Sequence, residues 1–583
     1  MKILLTTLNS KYIHSNLALR YLRETCPEEE ILLKEYTIND RLEVVVGDIY
    51  KTGAQILGFS CYIWNITETL QIINTLKQVA PEMIIILGGP EVSYNPGEYL
   101  AQGADYVVIG EGEQTFPELI NILKGSSPTR RAELLTEVKG LAYQTEQGAS
   151  INPPRDLIKD LGSVPSPYTT LDGLEHKIAY VESSRGCPFN CQYCLSSTIQ
   201  GVRFFPLERT KEELQKLISA GVKQVKFVDR TFNCSKQHTL ELWSFIKEWH
   251  PEGNFHFEIS GDLLDAELLE FLRDVPKGLF QFEVGVQSTN LRTLELIDRK
   301  TDLDKLSKNV IQVSSGRNIM QLLDLIAGLP EEDYASFGRS FNEVYGWGPD
   351  KLHLGFLKLL QGSGVRQKVE HWGYKFNAEP PYQVLASNWL SYAELLRLQI
   401  IEDLVDKYFN SGRYKHSLNF LVNQYQGDAF RMFEELAIYW ESKGYHRQAH
   451  NAKVLFQLLW DFCVDAFSVQ GDTLFAELLK LDYLLLDKPA RTPDWVSVDE
   501  PPFFKERANH FFQQGLLRLM PQLKDLSKRE INKHFHLDCF SPQLAGYLEL
   551  PLISDGEEPL YLLFYYPGQL LKADSPGFIP VVI

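Results

Sequence analysis

The chain has 583 residues, of which 44% are hydrophobic, 12% aromatic and 23% charged, an ordinary globular composition that excludes a disordered or fibrous protein and leaves room for several cores. A formal net charge of -18 argues against a nucleic-acid polyanion as the main partner, and no apolar stretch approaches a membrane-spanning length. The run Met1-Lys-Ile-Leu-Leu-Thr-Thr7 is too short for a signal peptide, and Cys26, Cys61, Cys234, Cys463 and Cys539 form no disulfide framework, so a cytoplasmic location is expected.

Residues 1 to 125 alternate short apolar runs (Ile3 to Leu5, Ile56 to Phe59, Met83 to Leu87, Tyr106 to Ile109) with helical segments such as Asn16 to Glu24 and Thr67 to Val79. Continuous apolar strands separated by helices predict an α/β, Rossmann-like doubly wound domain. Ligands of such sheets sit beyond the carboxyl ends of the strands. The loops there are Asn9 to Ser15, Ser60 to Asn65, Gly88-Gly-Pro-Glu91 and Gly110-Glu-Gly-Glu113. Their glycines let backbone approach a bulky ligand, although each alone is equally an ordinary turn. Residues 126 to 170, with Pro153-Pro154 and Pro165-Ser-Pro167, read as a connector.

Next come Cys187, Cys191 and Cys194, spaced C-x3-C-x2-C behind the apolar run Ile178 to Val181. Three thiolates from one loop suit three irons of a 4Fe-4S cluster, with no fourth cysteine nearby in the chain to close the last position. Half a zinc site lacks its other half, and a thioredoxin-like pair leaves Cys187 unexplained. Strands follow at Gln224 to Val228, Phe255 to Ser260, Phe280 to Val286, Met320 to Ile326 and His353 to Leu360. With Ile178 to Ser183 they make six βα repeats over 171–380, a partial TIM-type (β/α)6 barrel.

Residues 385 to 583 read as an α-rich domain. Ser391-Tyr-Ala-Glu394 is a capping box for a helix carrying Leu395, Leu398, Ile401 and Leu404, and further amphipathic segments cover 418–443 and 452–467. Strands are expected at Tyr547 to Leu550 and Tyr561 to Tyr566.

The cysteine loop, with Tyr193 before its last cysteine, resembles the signature of radical S-adenosylmethionine (SAM) enzymes. Leu87-Gly-Gly-Pro90 and Val108-Ile-Gly-Glu-Gly-Glu113 resemble the cobalamin-binding domain attached to many of them, and the C-terminal part resembles an uncharacterised extension of one such branch. The resemblance implies a cluster on Cys187, Cys191 and Cys194 whose open iron binds SAM and whose electron releases a 5'-deoxyadenosyl radical. It also implies cobalamin across Asn9, Ser60, Trp64, Gly88, Gly89, Gly110, Glu111 and Gly112. The family's Asp-x-His-x-x-Gly is absent, so no histidine is expected below cobalt; His14 has a surface or hydrogen-bonding role as its alternative, and a vestigial scaffold is the alternative for the domain.

Asp324-Leu-Ile-Ala-Gly-Leu-Pro-Glu331 resembles the segment beside the SAM adenine, with Ile326, Gly328 and Glu331 in register. Gly285-Val-Gln-Ser288 resembles a SAM-facing strand end. The implied SAM contacts are Tyr193, Glu258, Glu283, Gln287, Ser288, Ile326 and Gly328, with barrel-filling salt bridges as the alternative for the carboxylates. Val228-Asp-Arg-Thr-Phe-Asn233 replaces the usual Gly-Gly-Glu, and Arg185 and Arg230 are candidates to pair carboxylates. The implied activity is cobalamin-dependent methylation of an unactivated carbon in a small-molecule or peptide substrate, with an electron donor such as flavodoxin or ferredoxin. A radical cyclisation or rearrangement is the alternative enzyme, and an iron-sulfur or cobalamin sensor the alternative outside catalysis.

Overall fold

A computed structural model describes residues 1–199, 201–467, 473–488, 493, 501–524, 527–550, 559–566 and 576–583. The chain divides into two compact units, Met1–Leu395 and Leu396–Ile583, the division falling within the helix Tyr392–Leu404.

The first unit opens with β1 (Ile3–Asn9), β2 (Ile31–Thr37), β3 (Ile56–Ser60), β4 (Ile84–Gly88) and β5 (Tyr106–Val108), all parallel. β1 and β3 are buried along their whole length, because successive side chains feed cores on opposite faces. Leu4, Leu8 and Leu57 join Ile72, Ile73 and Leu76 of the helix Ile66–Val79. Ile3, Leu5 and Ile56 join Phe116, Leu119 and Leu123 of the helix Gly112–Gly125. Each such side chain stabilises the fold by about 1.5–3 kcal/mol through burial. The segment read as a connector adds β6 (Leu141–Thr145) and β7 (Gly148–Ile151), antiparallel, so the sheet order is β2-β1-β3-β4-β5-β6-β7.

The six-stranded parallel sheet follows: β8 (Ala179–Val181), β11 (Val225–Phe227), β12 (Phe255–Ile259), β13 (Phe280–Gln287), β14 (Met320–Ala327) and β15 (Lys351–Phe356) pair in chain order. The edge strands β8 and β15 do not pair, so the barrel is open. In β13, Phe280, Phe282 and Val284 are buried, whereas Gln281, Glu283, Gly285 and Gln287 on the other face are half-buried. Trp243 anchors the outer face, with ring centroids 5.6 Å from Phe280 and 5.4 Å from Phe282. Between β8 and β11 the chain makes a separate antiparallel hairpin, β9 (Ser184–Cys187) and β10 (Gly201–Phe204). After β15 a second hairpin forms from β16 (Lys375–Phe376) and β17 (Val384–Ala386).

The second unit contains the helices Lys415–Gln424, Ala429–Lys443, Ala452–Phe467 and Thr473–Leu486. A three-stranded antiparallel sheet, β18 (Phe535–Phe540), β19 (Leu560–Tyr565) and β20 (Gly577–Val581), accompanies them. The strand expected at Tyr547 to Leu550 is instead the end of the helix Pro542–Tyr547 and a turn. Among the described residues no helix is long and apolar enough to cross a membrane.

Candidate functional site

Cys187 ends β9 and pairs with Gly201, and Gly186 before it has φ +99°. A Cβ at Gly186 would collide with the Gly201 carbonyl oxygen, so only glycine permits this crossing. The strand entering the loop is fixed by buried Asp229, which accepts from Ser183 N at 2.9 Å, Ser183 Oγ at 2.6 Å and Ser184 Oγ at 2.6 Å. Burial pushes the Asp229 carboxyl above its ordinary range despite these bonds. His238 Nε2 lies 2.9 Å from Ser183 Oγ, and burial lowers this imidazole to about 4, so it is neutral near pH 7.

The loop backbone is tied at several points. Gln192 N donates to Ile297 O at 2.8 Å, Val365 N donates to Gln192 O at 2.9 Å, and Asn190 Nδ2 donates to Asp298 Oδ2 at 2.7 Å. Tyr94 and Thr198 hydroxyls meet at 2.8 Å, joining the loop after β4 to the end of the cysteine loop. Each thiol has a polar neighbour: Thr231 Oγ1 lies 3.6 Å from Cys187 Sγ, Ser196 N 3.4 Å from Cys194 Sγ and Arg299 Nη1 3.8 Å from Cys191 Sγ. Burial raises the Cys191 thiol, and the Arg299 charge opposes that rise. Among the described residues, no three His, Cys, Asp or Glu side chains converge on a point that would hold a single ion. A cluster does not ask for that, because each of its irons takes its own thiolate. The donor set, three thiols on one fixed loop, therefore fits a 4Fe-4S cluster with one iron open.

Cys234 sits in the turn Phe232–Cys234, with its N–H 3.1 Å from Thr231 O. Its thiol is pushed up to about 11 by burial and by the charges of Asp229 and Cys187.

Above the sheet, the lumen-facing side chains meet in register. Glu258 of β12 stands opposite Glu283 of β13, and Gly285 stands opposite Asp324 of β14. His256 Nε2 lies 3.1 Å from Glu283 Oε2, and this contact holds the Glu283 carboxyl low. Asp324 is raised by burial and bonds His353 Nδ1 at 3.0 Å. Glu258 differs: among the described residues no hydrogen bond or ion pair closes on its carboxylate, which burial pushes up to about 7 against the pull of Arg230.

At the end of β13 the register shifts between Gly285 and Gln287, and Gln287 adopts φ +72°. Its Oε1 is buried without a donor. Arg299 gathers this corner: Nη1 donates to the Tyr193 hydroxyl at 3.2 Å and Nη2 to Gly285 O. Sequence reasoning missed Arg299, which stands beside Lys300 in the segment Ile297 to Lys300 with no motif to mark it. Tyr193 and Gln287 thus meet around Arg299 and Gly285 at the cysteine loop, while Glu258 and Glu283 face each other across β12 and β13 and Ile326 is half-buried opposite Gly355 of β15.

Two other expected SAM contacts are engaged by the protein itself. Ser288 is fully buried and donates to Glu332 Oε1 at 2.7 Å, and burial pushes that carboxyl up to about 7. The buried acid is therefore Glu332, whereas Glu331, at φ +56°, pairs with Arg292 at 3.3 Å. Gly328, at φ +95°, accepts the Tyr374 hydroxyl at 2.9 Å, and a Cβ there would meet Val384 of β17 at 2.8 Å.

In the first domain, the loop after β1 docks on β8. His14 Nδ1 lies 2.6 Å from Tyr180 Oη, Ser15 Oγ donates to Ile178 O at 2.8 Å, and Lys177 pairs with Glu35 at 2.6 Å. His14 is a hydrogen-bonding residue, and burial lowers its basicity. Asn9 Nδ2 donates to His14 O at 3.0 Å, and Ser60 Oγ accepts from Asn16 Nδ2 at 3.3 Å. Trp64, 45% exposed, stacks on Tyr62 at 4.3 Å. Gly88 O accepts Cys61 N at 2.7 Å, and Gly89, at φ +116°, leaves no room for a Cβ against the Cys61 carbonyl. Gly110, at φ +77°, faces open space, while Gly112 starts the helix Gly112–Gly125 beside Leu22. Glu111 spends its carboxylate on Arg203, at 2.8 and 3.1 Å, and on Ile158 N at 2.8 Å. Trp64 is thus exposed on half-buried Tyr62, and a Cβ built at Gly110 would meet nothing within 4 Å, so both loops leave space at the carboxyl ends of the strands.

A Rossmann-like domain followed by an open six-stranded barrel with three thiols after its first strand defines a radical SAM protein with a cobalamin-type N-terminal domain. Comparison with known families agrees: residues 3–120 match the B12 binding domain, 181–344 the radical SAM superfamily, and 370–564 a protein of unknown function, DUF4080. The chain thus joins a B12 binding domain, a radical SAM domain and a DUF4080 domain in that order. It is 29% identical over 315 residues to the 2-(S-pantetheinyl)-carbapenam-3-carboxylate methyltransferase of Streptantibioticus cattleyicolor, covering 49% of this chain and 44% of that one. It is 27% identical over 353 residues to the cobalamin-dependent radical SAM methyltransferase TokK of Streptomyces tokunonensis, covering 55% and 49%. The chain spans about half the length of these curated relatives. The radical SAM methyltransferase TsrM of Kitasatospora setae, solved with cobalamin and a 4Fe-4S cluster bound, shares the fold, with a TM-score of 0.54 at 17% identity over 65% of this chain and 78% of that one.

Proposed function

We propose that this protein is a cobalamin-dependent radical SAM methyltransferase of the cytoplasm, acting on an unactivated carbon of a small-molecule or peptide substrate. The observation that carries it is the three-thiol loop on a hairpin fixed to both the barrel and the B12 binding domain. The proposed parts are a cobalamin domain at 1–125, a connector at 126–170, the barrel at 171–380 and a helical domain of unknown role at 385–583.

Cys187, Cys191 and Cys194 would hold the 4Fe-4S cluster, and the loops carrying Asn9, Ser60, Trp64, Gly88 and Gly110 would hold cobalamin without a histidine ligand. When bound, cluster and SAM supply a 5'-deoxyadenosyl radical, and cobalamin supplies the methyl group. The chain's own work is placement. Arg299 offsets thiolate charge at Cys191 and fixes Tyr193 against the loop. Among the described residues no protein donor closes on Glu258 or on Gln287 Oε1, which leaves both as acceptors suited to the ammonium and ribose hydroxyls of SAM. An electron donor such as flavodoxin or ferredoxin is needed.

The test is anaerobic reconstitution with iron and sulfide, then dithionite plus SAM, with 5'-deoxyadenosine as the readout. Its absence from fully loaded protein would sink the enzyme reading. Hydroxocobalamin retained through desalting, followed by absorbance, tests the first domain; failure to retain it defeats the cobalamin reading.

A further inference from the structure

Five charged side chains are buried together where the B12 binding domain meets the cysteine hairpin. Glu111 pairs with Arg203 at 2.8 Å and with Arg185 at 3.4 Å. Arg185 pairs with Glu113 at 2.5 Å and with Glu182 at 3.0 Å. Arg185 and Arg203 are direct partners across β9 and β10. Side-chain exposure across the network is only 9–18%. The Arg185 guanidinium is further enclosed by the rings of Tyr21 at 5.2 Å and Phe205 at 5.5 Å. Burial raises Glu182, whereas Arg203 and the Ile158 N–H overcome the burial of Glu111 and hold it low.

Burying three carboxylates and two guanidiniums costs desolvation energy that an apolar contact would not, so such a network does more for register than for stability. Its two ends identify what is being registered. Glu111 follows Gly110, in the loop after β5 proposed to meet cobalamin, and Arg185 lies two residues before Cys187. Gly186 between them admits no slack, because its backbone lies against Gly201.

The geometry points to Glu111 and Glu113 as positioning residues that set, through Arg185 and Arg203, the separation between the cluster thiols and the proposed cobalamin loops of the first domain. Both carboxylates are engaged by the protein itself, Glu111 with Arg203, Arg185 and Ile158 N and Glu113 with Arg185. This inference rests on the two-cofactor reading above.

The test compares the full-length chain with the double variant Glu111→Gln/Glu113→Gln and with Arg203→Lys, which keeps the charge. In chain loaded with iron, sulfide and hydroxocobalamin and reduced by dithionite, cluster and cobalt are both paramagnetic, and their magnetic interaction falls steeply with separation. The double variant is expected to retain both cofactors yet lose or broaden the interaction seen in the wild type, and Arg203→Lys, which leaves both carboxylates and a cation in place, to keep most of it. Full loading with a wild-type interaction overturns the inference, as does outright loss of cobalamin, which would make Glu111 a ligand contact. Hydrogen exchange of cofactor-free chain keeps the inference testable by itself: amides at 184–187 and 201–204 should exchange at least about tenfold faster in the double variant. Unchanged exchange refutes the latch. Failure of the wild type to load either cofactor refutes the proposed function instead.

Discussion

Glu258 is a largely buried acid of β12 on whose carboxylate no protein donor closes among the described residues. Its carboxyl is pushed up to about 7 from an unfolded value of 4.5, chiefly by burial, with Arg230 as a partial counterweight. A raised acid costs nothing below the unfolded value, where both states are protonated, and its penalty grows as pH rises through the folded value. At about 1.36 kcal/mol per unit the penalty is roughly 0.8 kcal/mol at pH 5 and roughly 3.3 kcal/mol at pH 8. Glu258→Gln removes it, so the variant should be more stable than the wild type by those amounts. An unfolding entropy of about 2.1 cal/mol/K per residue over the first unit, Met1–Leu395, turns the difference between the two pH values into about 3 °C. Thermal melts of cofactor-free protein at pH 5 and pH 8 measure it. A Tm gain that is equal at both pH values, or absent at pH 8, would show that this carboxylate is satisfied and has no ligand to await.

Gly186→Ala should destabilise the hairpin by at least about 2 kcal/mol, through a left-handed φ and the collision with Gly201, and should reduce reconstituted iron per chain to less than about half. Iron content equal to wild type would mean that the hairpin does not set the loop. Arg299→Met removes a cation 3.8 Å from Cys191 Sγ. Losing a charge-assisted contact of about 1.5–3 kcal/mol should shift the cluster potential about 60–120 mV more negative, read by redox titration with EPR; an unmoved potential at full iron content contradicts it.

The two parallel sheets were legible because strands covered on both faces must be apolar throughout, and runs such as Ile56 to Phe59 advertise that. The cysteine loop was legible because its chemistry resides in adjacent residues. β6 and β7 are hard to read because only Leu141, Ala142 and Tyr143 are buried and the remaining residues, Ala149 and Ile151 included, are exposed or half-buried. β9 and β10 carry no alternating pattern; Asp229, Glu111 and Glu113 hold them from distant parts of the chain. Arg299 and Glu332 acquire their roles only from tertiary neighbours, and no local spacing marks either. Tyr547-Leu-Glu-Leu550 alternates like a strand, but Pro542 at a helix start, followed by Gln543, Leu544 and Ala545, favours the helix found.

The small hairpin of β16 and β17 bears on where the protein divides. The DUF4080 match begins at residue 370, yet Tyr374 caps Gly328 of the barrel and Tyr382 donates to buried Glu91 of the first domain. A chain cut at the family boundary would strip the Gly328 carbonyl of its donor and leave Glu91 with Tyr99 alone at 3.0 Å. The unit of homology and the unit of folding are therefore offset by some 25 residues, so that what is inherited as the tail is partly built into the head.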